Sequence, residues 1–231
     1  MSRVSLPRLD LIGRFRVEPA ARPIAKKARA LLAYLAWHGG GYLIDREILV
    51  DLLWPHQDGE AGRHSLRNCL WQLGRAGLAN LLQADLETVR IRADSDLARF
   101  RAAVEAEDFR GAAVLVRGPL LDHFPEISEP FDQWLRRARA SFGREAAAML
   151  RHVVADLLAG GEFDKAVDQA VRLVAFDEID EASHRLLLRA YMAAGRRNAA
   201  VRHYRDLALM LRRELGVAPE PATQALLAAV L

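Results

Sequence analysis

With 231 residues, 52% of them apolar, and a net charge of +3, the chain is long enough for two ordinary domains and too hydrophobic for wholesale disorder. Its single cysteine, Cys69, excludes a disulfide framework or a cysteine metal cluster and suits a reducing cytosol. No stretch approaches the roughly 18 uninterrupted apolar residues of a membrane span, and the start, MSRVSLPRLDLIG, lacks the pattern of a secretory signal, so a cytoplasmic protein with no membrane partner is expected.

The distribution of charge says more than its total. Residues 1–92 hold 14 Lys and Arg against 9 Asp and Glu, whereas the remainder holds 19 against 21. A basic front and a slightly acidic back suit one DNA-facing and one protein-facing module. Chance asymmetry in an Arg-rich chain is the bland alternative.

Residues 8–18 alternate polar and apolar through Leu9, Leu11, Phe15 and Val17, which predicts a strand with Gly13 as a bulge. Pro23 opens a helix with Ala28, Leu31, Leu32 and Leu35 at helical spacing, ended by Gly39, Gly40 and Gly41. A second helix follows Asp45 as N-cap, buries Ile48, Leu49, Leu52 and Leu53, and stops at Trp54-Pro55. A third spans residues 60–76, and residues 80–92 form a hairpin with Thr88–Ile91 as its clearest strand.

From Asp96 onward the periodicity is helical, interrupted at 117–130 by three prolines, and a long helix begins near Phe131. The boundary is therefore placed at 93–97, giving domains 1–95 and 96–231. The second contains an internal repeat: LLAGGEFDKAV at 157–167 aligns with YMAAGRRNAAV at 191–201, so that Gly161 and Gly195, Ala166 and Ala200, and Val167 and Val201 are each 34 residues apart. That is the tetratricopeptide period, in which a helix pair buries its apolar face by stacking on a neighbour. The fold class is mainly α: an N-terminal winged helix-turn-helix, itself α+β, followed by an all-α tetratricopeptide-like repeat domain.

The third helix places Leu66, Leu70 and Leu73 on one face, with Cys69 at its margin, and His64, Asn68, Trp71 and Arg75 on the other, flanked by Arg67. Arg pairs with guanine, Asn with adenine, and either holds phosphate. The order of strand, helix, capped helix, basic helix and hairpin is that of a winged helix, with the third helix in the major groove and Arg90 and Arg92 on the hairpin over the adjacent backbone or minor groove. A solvated surface is the competing reading of such a face, and contacts with the hairpin or the second domain would equally cover Trp71.

The segments KKARALLAYLAWHGG, DREILVDLLWP, SLRNCLWQLGRAG and LETVRI resemble the winged-helix domain of the antibiotic-regulatory-protein (SARP) class of bacterial activators, a domain similar to that of OmpR. RGPLL, FDQWLRRAR, the run AFDEIDEASHRLLLRAYMAAGRRNAAVRHYRDL and LRRELGVAPEPATQALL resemble the bacterial transcriptional activator domain of that class. Glu178 departs from the proline usual in that family after the aspartate. The resemblance implies double-stranded DNA as partner, often at direct repeats, and RNA polymerase recruitment, with a homodimer at least on DNA. It nominates Arg63, His64, Arg67, Asn68, Trp71 and Arg75 for base or phosphate contact, and Lys26, Lys27 and Arg29 for phosphate near a helix start. A compact regulator and the front part of a longer protein both fit it.

No enzyme, cofactor or metal site is expected. His38-Gly39-Gly40-Gly41 resembles an esterase oxyanion motif, but no G-x-S-x-G elbow accompanies it. Nor is there a phosphate loop, a G-x-G-x-x-G or an H-E-x-x-H. Asp177, Glu178, Asp180 and Glu181 are read as a helix start capped by Asp180, and His152, His184 and His203 as packing or surface residues. Two other functions stay open: a helical-repeat adaptor whose winged helix docks protein only, and a ligand-sensing regulator using the repeat groove.

Overall fold

The computed structural model describes residues 7–18, 20–39 and 41–228. Gly40, assigned to the end of the first helix, lies outside them. The chain divides into two compact units, Met1–Phe142 and Gly143–Leu231.

The first unit runs β1 (Arg8–Asp10), β2 (Arg16–Glu18), α1 (Lys26–His38), β3 (Ile44–Asp45), α2 (Arg46–Leu53), α3 (Gly59–Leu73), β4 (Leu82–Ala84), β5 (Thr88–Ile91), β6 (Asp94–Ser95), α4 (Asp96–Glu105), α5 (Phe109–Leu115) and the start of α6 (Glu129–Ala159). Residues 8–18 are not one bulged strand. They form an antiparallel pair around a reversal at Gly13, whose φ of +86° is open chiefly to glycine. The N–H groups of Leu11 and Ile12 leave the strand pattern and donate to the Asp96 carboxylate at 2.7 and 3.1 Å. β1 also pairs in parallel with β6, giving the order β2-β1-β6, while the hairpin builds a second sheet, β3-β5-β4.

Helices α1, α2 and α3 pack around Leu31, Leu32, Leu35, Leu49, Leu53 and Leu66, all with at most 1% exposure. This burial drives α1 in particular, because its N-cap, Ala25, supplies no side-chain hydrogen bond. Asp45 likewise occupies the N-cap of α2 without capping it, and Ile48, expected inside, is 48% exposed. Val50 takes the inward position instead.

The first unit continues well past residue 95. Asp96 is fully buried and accepts a third hydrogen bond from Arg117 at 2.7 Å. Arg139 on α6 donates through Nε to the Leu120 carbonyl at 2.9 Å, and Trp134 packs its ring 5.0 Å from that of Tyr34 on α1. The first turn of the segment assigned to the second domain is therefore part of the core beneath the first.

The second unit holds the rest of α6, then α7 (Phe163–Val174), α8 (Glu181–Ala193), α9 (Arg197–Leu215) and α10 (Pro221–Ala228). The 34-residue repeat is present in the backbone. Gly161 and Gly195 have φ of +73° and +70° at equivalent turns. The hydrogen bonds Gly161 to Leu158 and Glu162 to Leu157 recur as Gly195 to Met192 and Arg196 to Tyr191. Asp180 caps α8 as expected, accepting from the N–H groups of Ala182 and Ser183, each at 3.2 Å.

His184 and His203, 19 residues apart on α8 and α9, meet with Nδ1 of the first 2.9 Å from Nε2 of the second. The Glu178 carbonyl can only accept, so His184 Nε2 donates to it, His184 Nδ1 is the acceptor, and His203 Nε2 donates. Burial, with His184 nearby, pushes the His203 imidazole down to about 4.

Two outcomes are expected. Asp96→Ala leaves two buried N–H groups without an acceptor and removes one of the two carboxylates that Arg117 holds, lowering the unfolding free energy in urea by about 3 kcal/mol; a change under about 1 kcal/mol contradicts the anchoring role. Because the His203 pKa is lower folded than unfolded, its contribution is complete above pH 6.5 and is lost as pH falls toward 4. Stability should drop by about 1–2 kcal/mol across that window, allowing for partial exposure, and His203→Gln should flatten the drop.

Candidate nucleic-acid interface

Helix α3 begins cleanly because the Asp58 carboxylate accepts from Ala61 N–H at 2.8 Å, and Ser65 Oγ donates to Gln57 Oε1 at 2.7 Å across the preceding turn. It buries Gly62, Leu66, Cys69 and Leu73. Cys69 is thus a core residue, not a marginal one, and burial pushes its thiol up to about 12. Leu70, expected on the core face, is only half-buried.

The face left outside carries Arg63, His64, Arg67, Asn68 and Trp71, all exposed. Among the described residues, the side chains of Arg63, His64, Arg67 and Asn68 make no hydrogen bond or ion pair within the protein. No acidic residue occurs from Arg63 to Arg75. At 1.5 Å per residue, Arg63 to Trp71 covers about 12 Å, comparable to the width of a major groove.

The α-helix ends at Leu73, earlier than expected, and passes into a wider turn that is broken at Gly77, whose φ is +82°. Arg75 sits on that turn with its guanidinium 5.0 Å from the Trp71 ring centre. The start of α1 lies beside it, and Pro23, Ala28, Trp71 and Arg75 help line a 340 Å³ pocket there.

Of the three cations nominated on α1, Lys26 is exposed. Lys27 is half-buried with Nζ 4.9 Å above the Trp54 ring, and burial together with Lys26 holds its pKa below the usual lysine value. Arg29 is also half-buried, with its guanidinium 6.0 Å from the Phe124 ring centre and its Nε buried without a partner.

The hairpin carries Arg92 exposed and Arg90 half-buried, the latter donating through Nε to Gln83 Oε1 at 2.9 Å. Its tip has a different character. Asp85 accepts from the Thr88 and Glu87 N–H groups at 2.7 and 2.9 Å, and those bonds hold its carboxyl below the usual range. Leu86 between them is 94% exposed, and Glu87 is exposed as well. A 670 Å³ groove lies between this tip, α2 and α3, lined in part by Glu47, Asp51, Arg63, Arg67 and Glu87.

Sequence reasoning missed two features of this face. The acidic, apolar tip is written in the sequence as Asp85-Leu86-Glu87, shortly before Arg90 and Arg92. Gly62 was overlooked: a β-carbon there would collide with Val50 Cγ1 of α2. Glycine is needed because the two helices touch at that point.

The model of the bacterial transcriptional activator domain matches residues 84–231, more than half of the chain. The chain belongs to the bacterial transcriptional activator domain family. The match begins within the hairpin and takes in α4 to α10, in agreement with the resemblance drawn from RGPLL onward. No curated protein matches this family member significantly. Among solved structures it is similar to Mycobacterium tuberculosis EmbR in complex with a low-affinity phosphopeptide, with a TM-score of 0.68 and 22% identity. That similarity covers 97% of this chain and 64% of the EmbR chain, so the activator-domain chain spans about two thirds of that protein's length and shares its fold. Among the described residues, no helix is long and apolar enough to cross a membrane.

Gly62→Ala should lower the thermal midpoint by an amount equivalent to about 1–3 kcal/mol, because α2 and α3 must separate to admit the methyl group. An unchanged midpoint would mean that Val50 rotates away freely.

Proposed function

We propose that this chain is a sequence-specific DNA-binding transcriptional regulator, acting as an activator, that reads the major groove with the 60–76 helix. The observation that carries the reading is the acid-free outer face of α3, with Arg63, His64, Arg67 and Asn68 exposed and unengaged. Residues near the start of a recognition helix contact base edges, which assigns base reading to these four. Trp71 and Arg75, further along, serve the flanking sugar and phosphate.

Lys26, at the uncapped start of α1, is the phosphate contact best supported, because free N–H groups and the helix dipole favour an anion there. Lys27 and Arg29 contribute field more than contact. Arg92, with Arg90 braced on Gln83, meets the backbone beside the hairpin, and the acidic tip keeps away from phosphate. In this reading the repeat unit supplies self-association or contact with RNA polymerase. A homodimer on direct repeats follows from the family resemblance.

The test is Arg67→Ala in fluorescence anisotropy against the promoter duplex upstream of the protein's own coding sequence. Affinity should fall by about 1–3 kcal/mol with an unchanged melting curve. Wild-type affinity would remove Arg67 from the interface.

A further inference from the structure

The two long faces of α9 differ in chemistry. Ala200, Leu207 and Leu211 are buried, whereas Arg202, Arg205, Leu209 and Arg212 recur at helical spacing along the other side and are exposed. Leu209 stands among the arginines at 67% exposure, and Leu215 and Val217 follow at 51% and 48%.

Three arginines elsewhere in this unit find carboxylates. Arg151 reaches Asp180 at 3.4 Å, Arg185 reaches Glu220 at 2.6 Å, and Arg196 reaches Asp164 at 2.7 Å. Among the described residues, the side chains of Arg202, Arg205 and Arg212 have no hydrogen bond or ion pair. Three unengaged guanidiniums thus share one face of α9 with an exposed leucine. A single exposed leucine is ordinary, and a basic face alone is ordinarily solvated; their coincidence is what selects a partner.

We infer that this face of α9 docks an acidic amphipathic protein segment, whose carboxylates meet Arg202, Arg205 and Arg212 while an apolar side chain covers Leu209. Guanidinium and carboxylate match as planar forks, which favours a carboxylate-bearing partner for arginine in particular. A nucleic-acid backbone would satisfy the charges but leave Leu209 without an apolar contact. The inference rests on the activator reading for its setting, and it gives that reading the chemistry of the repeat unit's partner.

The experiment uses the full chain and three labelled probes at about 0.15 M salt. They are a helical peptide of about 15 residues built from Glu, Leu and Ala with one leucine face, a scrambled peptide of the same composition, and a random-sequence duplex. The amphipathic peptide should bind at least about tenfold more tightly than the scrambled one. Leu209→Gln and Arg205→Glu should each weaken it by about tenfold or more, with melting curves and duplex affinity unchanged. Equal binding of the two peptides, or indifference to both substitutions, overturns the inference. So does a loss of duplex binding in the variants with peptide binding intact, which assigns the face to nucleic acid. If the chain binds the peptide as described but fails to prefer its promoter, the α9 site stands and the DNA reading falls.

Discussion

The buried carboxylate of Asp96 is the constraint on which the first unit turns. It accepts from Leu11 and Ile12 at one end of the chain and from Arg117 more than a hundred residues later. A fully buried carboxylate is tolerable only when such donors surround it. Here the donors come from the N-terminal hairpin and from the irregular segment before α6. Through Asp96, β1 is held beside β6, and α4 and the Arg117 segment are fastened to the N-terminal sheet.

With its core supplied that way, the three-helix module can leave polar groups outside unused. Apolar packing, not capping, fixes α1 and α2, and Gly62 lets α3 press closely on Val50. What remains outward on α3 is a set of donors without internal partners, which is costly in a core but inexpensive in water and available to a ligand. The acidic hairpin tip and the carboxylates of α2 border that face on one side. In the proposed reading, electrostatics favours α3, the start of α1 and the Arg92 end of the hairpin for an anionic partner.

Much of this was legible. The α3 face, the hairpin and the 34-residue repeat follow from local spacing, and the structure reproduces the repeat down to equivalent turn hydrogen bonds. Features set by distant partners were hidden. Alternation at Leu9–Val17 looks like one strand until Asp96 diverts the Leu11 and Ile12 N–H groups. Ile48 and Val50 exchange roles because the register of α2 is set by α3, not by its own pattern. His184 and His203 showed no pairing signal because adjacent antiparallel helices, not an i,i+4 spacing, bring them together. The position of Arg29 near the Phe124 ring was hidden for the same reason, because that neighbour lies far away in sequence.

The most direct measurement is a salt titration of wild-type binding to the protein's own upstream duplex and to an unrelated duplex of equal length. Sequence-specific reading predicts a preference of about a thousandfold or more, and an affinity that falls steeply as salt rises through counterion release. Equal and weak binding to both duplexes would contradict it, leaving the basic face of α3 as charge without recognition.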